Sequence, residues 1–211
     1  MRAIEYPNKE LVALLLRAGV DANEHMISQP LSRSPLQLAV ESGDFEMVQY
    51  LIEAGANVNS PPAIESGPTA LQLAAVKGYL GLARHLLDRG AQVNALPARY
   101  KGRIALEGAA EWGRLDMLEL LVANEAQTTG KWHRRYVGAV KMAIKRGYST
   151  AAILLKQSIG WSQDDEILFR ASDTLDIEAP EWDADFFSEH VREDSADGET
   201  DMDEIDMEDI G

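Results

Sequence analysis

The sequence predicts an all-α chain, a solenoid of helix-turn-helix units with hairpin-like loops, followed by a disordered acidic C-terminal tail. Three observations predict this. A phrase recurs at fixed period: Leu36, Leu71 and Leu106 fall 35 apart, as do Gly43, Gly78 and Gly113, and Gly55 and Gly90. Within each copy, apolar residues follow helical spacing and glycines stand where helices should stop. The charge is also divided. From Ser162 onward there are 20 Asp and Glu against Arg170 and Arg192, a net of −18, whereas the preceding 161 residues carry 18 Lys and Arg against 15 acids, a net of +3.

The array is expected over 1–160, with units at about 1–25, 30–60, 65–95, 100–128 and 134–158. Residues 3–23 match a unit entered midway, with Gly19 standing 36 before Gly55. In the second unit Ser34 can accept an orphan backbone N–H, and Pro35 suits the next position, where none is needed. Leu36, Leu38 and Ala39 form the apolar side of a short first helix, and Val48, Leu51 and Ile52 that of a second. The third unit repeats this with Leu82, Leu86 and Leu87. Small residues at Ala39, Ala74, Ala75, Ala109 and Ala110 let neighbouring first helices approach closely. The fourth unit has Glu125 where Gly55 and Gly90 stood, so its second helix is expected to end differently. In the fifth, Gly147 stands 34 after Gly113, and Lys141, Lys145 and Arg146 suit a terminal cap facing water. No helix of a unit buries its apolar stripe alone, and stacking makes one continuous core. Over 161–211, Ser162 and Asp165 form a capping-box-like pair that predicts a short helix at 162–171. Beyond it, interleaved acids and aromatics predict disorder, because too little surface can be buried to offset ordering entropy.

The register of "SPLQLAV" and "TALQLAA" with "GANVN" and "GAQVN" resembles the ankyrin repeat, over about residues 1–157. The period of 35, longer than the usual ~33, and "GRIALEGAAEWGRLDMLELL" look most like the arrays of fungal multidomain ankyrin proteins. Gln37, Gln72 and Glu107 replace the histidine usual in that family. The N-terminal copy lacks a helix start, which reads as a fragment of a longer protein or a truncated gene model.

Chemistry is sparse. There is no cysteine, which removes disulfides, thiolate catalysis and zinc-thiolate sites. His25, His85, His133 and His190 lie in four separate segments, and His85 occupies a packing position held by Tyr50 and Leu120 in neighbouring copies. No phosphate loop occurs. "DMDEIDMED" (201–209) fails as a calcium loop, since Ile205 stands where the third acid belongs and Asp206 where the glycine belongs. No catalytic residue, cofactor or metal is therefore expected. The start lacks a secretory core, and no apolar run approaches the ~20 residues that span a bilayer. The expectation is an intracellular protein, cytoplasmic or nuclear, without membrane contact.

The resemblance implies protein–protein interaction through a concave groove of hairpin tips and first-helix surfaces. In the second unit those positions are Pro30, Leu31, Arg33, Glu41 and Ser42, and in the third Glu65, Ser66, Pro68, Val76 and Lys77. The groove turns basic at its C-terminal end, where Tyr100, Lys101, Arg103, Trp112, Arg134, Arg135, Lys145 and Arg146 are the candidate partner-binding residues. Aromatic and arginine side chains are the common anchors of interfaces. The partner expected is a protein with an acidic segment, nucleic acid being disfavoured by an array charge of only +3, and the chain is expected as a monomer or part of a larger chain. The tethered tail is expected to shield the same end of the groove. Two alternatives stay open: a transcriptional regulator whose acidic-hydrophobic tail recruits partners, with Thr200 a phosphorylation acceptor, and an accessory part of a larger enzyme.

Overall fold

The computed structural model describes residues 9–23, 33–61, 67–98 and 102–171. The chain divides into two units, Met1–Ala179 and Pro180–Gly211, and all described residues belong to the first. The tail beyond 171, Thr200 included, lies outside them.

Among the described residues the regular structure is helical: α1 (Lys9–Arg17), α2 (Pro35–Ser42), α3 (Phe45–Glu53), α4 (Ala70–Lys77), α5 (Leu80–Asp88), α6 (Ala105–Glu111), α7 (Leu115–Ala123), α8 (His133–Lys145), α9 (Ser149–Ile159) and α10 (Gln163–Ala171), with a 3-10 turn at Gly130–Trp132. First helices stack in one row, α2 on α4 on α6 on α8, and second helices continue in another, α5 on α7 on α9. The core runs between the rows. Ala39, Ala74, Ala75, Ala109 and Ala110 are almost wholly buried on the first helices, and Met47, Val48, Leu51, Leu82, Leu86, Met117, Leu118 and Leu121 on the second. At α6 the approach is close enough that a Cβ on Gly108 would lie 2.7 Å from Val76 Cγ2.

Capping follows the local sequence. The Ser34 hydroxyl accepts from the Gln37 N–H at 3.2 Å, and Thr69 does the same for Gln72 at 3.3 Å. Asp44 caps α3 through the Met47 N–H at 3.0 Å. Each first helix then ends on a left-handed glycine, with φ of 75° at Gly43, 75° at Gly78 and 62° at Gly113. These glycines have a second duty. A Cβ there would lie 3.0 Å from Tyr79, 2.8 Å from Arg114 and 2.4 Å from Tyr148 respectively, each a side chain of the following unit.

Second helices end on Gly55 (φ 92°) and Gly90 (φ 86°), where a Cβ would meet nothing within 4 Å. Only the backbone angle requires glycine there. The fourth unit corrects the expectation of a different ending: Glu125 takes the same left-handed conformation, φ 64°. Its N–H donates to Val122 O at 3.1 Å and the Ala126 N–H to Leu121 O at 3.0 Å, as Gly55 does to Ile52 (3.0 Å) and Ala56 to Leu51 (2.9 Å). Glu125 is exposed, so its long side chain extends into solvent from this position.

The asparagine closing each joint explains the rest of the recurring phrase. Asn23 Nδ2 donates to Gly55 O at 3.1 Å, while its Oδ1 accepts from the Asn57 N–H at 2.6 Å. Asn59 bridges to Gly90 O (2.9 Å) and the Gln92 N–H (2.8 Å), and Asn94 to Glu125 O (3.1 Å) and the Gln127 N–H (2.7 Å). One side-chain amide thus ties each joint to the next.

Candidate partner-binding surface

Gln37, Gln72 and Glu107 occupy one buried position in successive units. Each accepts from the backbone N–H that opens its own helix: Ser34 N–H at 2.9 Å, Thr69 N–H at 3.0 Å and Ile104 N–H at 3.1 Å. The glutamines use their amide N–H groups on the next loop, Gln37 on Ser60 O and Pro61 O, Gln72 on Ala95 O and Leu96 O, at 3.0–3.2 Å. Glu107 has nothing to donate. Its two oxygens instead accept from Arg135 Nη1, at 3.0 and 2.7 Å. Burial pushes the Glu107 carboxyl above its ordinary value, and the Arg135 charge and hydrogen bonds oppose that shift only in part.

This pairing corrects one expectation for the surface. Arg135 is no groove cation, since it is buried beneath the surface as the counter-ion of Glu107. Trp132 is buried as well. Tyr100 and Lys101 lie outside the described residues. Arg134 is exposed.

Arg103, Trp112 and Arg146 are brought together, with Lys145 beside them in sequence. Arg103 Nε donates to Glu111 Oε2 at 3.2 Å, and Arg146 Nη2 to Glu111 Oε1 at 2.7 Å. The Arg146 guanidinium also lies 5.6 Å from the centroid of the Trp112 ring. Glu111, a groove position of the fourth unit though not one of the candidate anchors, is therefore the hub of the cluster. Its signal was legible: an Arg–Glu pair eight apart recurs at Arg33 and Glu41, which also form an ion pair, and among the described residues only the fourth unit adds a third partner from the next unit. The result is an exposed tryptophan (45%) beside an arginine whose side chain is 54% exposed yet held on two sides. Lys145 is exposed and makes no ion pair among the described residues.

The far side of α8 is closed by α10. Ser162 and Asp165 form the expected reciprocal cap, with the Ser162 N–H and hydroxyl both donating to Asp165 Oδ2 at 2.7 Å. Burial would raise the Asp165 carboxyl, but the Ser162 hydrogen bonds and the charges of His133 and Lys156 bring it below the ordinary value. Tyr136, Trp161 and Phe169 meet edge to face, with centroids 6.0 and 6.1 Å apart, and Lys156 Nζ sits 4.0 Å from the Trp161 ring. The buried Tyr136 hydroxyl donates to Leu155 O at 3.2 Å, and burial, with the Asp165 charge, pushes its pKa up to about 12. His85 packs against the Phe45 ring at 5.0 Å, a packing place as expected.

No group of three or more potential metal ligands occurs among the described residues, and no helix among them is long and apolar enough to cross a membrane. Stacked two-helix units with left-handed glycine joints define a helical-repeat solenoid. A family model for ankyrin repeats (3 copies) matches residues 1–96 and 63–132. The chain belongs to the ankyrin-repeat family, whose members generally mediate protein–protein interaction and are typically non-catalytic. No curated protein matches the chain.

Proposed function

We infer that the chain is a non-catalytic scaffold or adaptor that takes an acidic protein segment on the Trp112, Lys145 and Arg146 end of its groove, within an intracellular setting, and that the acidic residues following the array modulate this surface. The observation that carries the reading is Arg146, fixed between the Glu111 carboxylate and the Trp112 ring while half exposed. A cation immobilised before binding loses little side-chain entropy when a carboxylate arrives, and arginine offers a planar fork for it. Trp112 supplies the apolar contact that makes such a site more than a charge.

The test is fluorescence anisotropy of a labelled peptide of repeated Glu-Asp-Leu with the full chain at low salt. Removing both anchors in W112A/R146A should weaken binding by at least about tenfold, roughly 1.4 kcal/mol. A Lys-rich peptide of equal length should not bind. Equal affinity of wild type and double variant for the acidic peptide excludes this surface.

A further inference from the structure

We propose that the acidic-apolar stretch Asp173–Glu178 of this same chain docks on the exposed end of α8, over Ile144, Lys145 and Arg146, and so competes with an acidic partner. The inference rests on the reading of that surface as the partner site. Three observations converge on it.

The first is where the chain leaves the cap. Lys141 Nζ donates to Phe169 O at 3.5 Å and lies 5.6 Å from the Phe169 ring. Helix α10 ends at Ala171, two residues further on, so the chain emerges beside Lys141. Along α8, Ile144 and Lys145 follow Lys141 by three and four residues, on the same face and about 6 Å away. Six extended residues reach roughly 20 Å, so the stretch spans the end of α8 without strain.

The second is the surface itself. Ile144 is 43% exposed, although its counterpart Ala110 in the preceding unit is fully buried under the next first helix. Beside it, Lys145 has no ion-pair partner among the described residues, and the Arg146 side chain keeps half its surface in water.

The third is complementarity. "DTLDIE" places Asp173, Asp176 and Glu178 around Leu175 and Ile177, acids to meet Lys145 and Arg146 and apolar side chains to cover Ile144. Tethering gives such a segment an effective concentration in the millimolar range, so a weak contact suffices to compete. The attraction is short-ranged at physiological salt, with screening over about 8 Å, which favours the adjacent stretch over more distant acids.

The experiment uses the full chain and its variant D173N/D176N/E178Q, with two readouts at low and high salt. One is affinity for the Glu-Asp-Leu peptide, and the other is acylation of Lys145 relative to Lys77, an exposed lysine on α4. At low salt the variant should bind the peptide about tenfold more tightly and Lys145 should become more reactive, with both differences vanishing at high salt. Unchanged affinity and unchanged Lys145 reactivity overturn the docking. If the peptide binds wild type and variant equally and W112A/R146A abolishes binding, the docked stretch is wrong while the partner surface stands. If the peptide binds none of these chains, both ideas fall.

Discussion

The units between Arg33 and Ala98 and the end from Arg103 to Ala171 solve one problem in opposite ways. In the first region a buried glutamine donates to carbonyls of the next loop. In the second, glutamate at the same place reverses the polarity of the contact, so the neighbouring element must bring a donor, and α8 brings Arg135. The loop carbonyls that Gln37 and Gln72 use are replaced by the 3-10 turn Gly130–Trp132 and an α8 of 13 residues, against 8 in α2 and α4. A single change from amide to carboxylate thus accompanies a change of local structure, and the proposed interaction surface lies where the pattern changes.

The sharpest way to break this comparison is E107Q, which restores the glutamine of the other units without restoring their loop. Arg135 would lose its buried counter-ion, at a cost of about 3–5 kcal/mol. E107Q/R135L should recover most of that loss, because an apolar pair leaves no uncompensated charge. Urea unfolding followed by circular dichroism measures both, and an E107Q chain as stable as wild type would show that the pair is not structural.

The next comparison is between the two kinds of glycine. At Gly113 an added Cβ suffers both the left-handed backbone, about 1–2 kcal/mol, and a contact 2.4 Å from Tyr148, where overpacking adds roughly 1–3 kcal/mol. At Gly90 only the first applies. G113A should therefore cost about 3 kcal/mol and G90A about 1. Equal losses at the two sites would mean that the close approach of Tyr148 carries no energy.

Much of this was legible in the sequence because it is periodic. Gly43, Gly78 and Gly113 recur in register, as do the capping residues Ser34 and Thr69, so local rules and the stacking rule agree at every unit. The basic end of the groove was legible only in part. Trp112 and Arg146 meet as their shared surface implied, but Arg135 reads like its neighbour Arg134 until the burial of Glu107 is known. The partner of a buried acid is set by tertiary packing 28 residues away, which no local spacing encodes. Glu125 failed for another reason. Glycine at a joint looked uniformly necessary, whereas the two glycine positions differ in crowding, and crowding is invisible before the units are stacked.

The asparagine ties distinguish the joints more gently. N94A removes the hydrogen bonds to Glu125 O and the Gln127 N–H, both near solvent, so water can replace them. A loss of about 1 kcal/mol is expected, at the joint that can least tolerate it. N59A, at a joint that ends on Gly90, should lose less, since that glycine holds its angle without help. Native-state hydrogen exchange at the Ala126 and Ala91 amides reads the two joints separately, and identical protection in both variants would remove the distinction.

The smallest effect bears on the joint that departs from the pattern. Glu125 holds φ at 64° with no glycine to make it easy, a strain of about 1–2 kcal/mol for a residue bearing a Cβ. E125G should release it, but the unfolded chain gains freedom worth roughly 0.5–1 kcal/mol that folding must then remove. The net is a stabilisation of less than about 1 kcal/mol. Because Asn94 helps to hold the strained residue, the gain should be larger in the N94A background, and the double-mutant cycle measures that coupling. If E125G instead loses stability in both backgrounds, the Glu125 side chain makes a contribution outweighing its backbone strain, and the conformation is favoured rather than imposed.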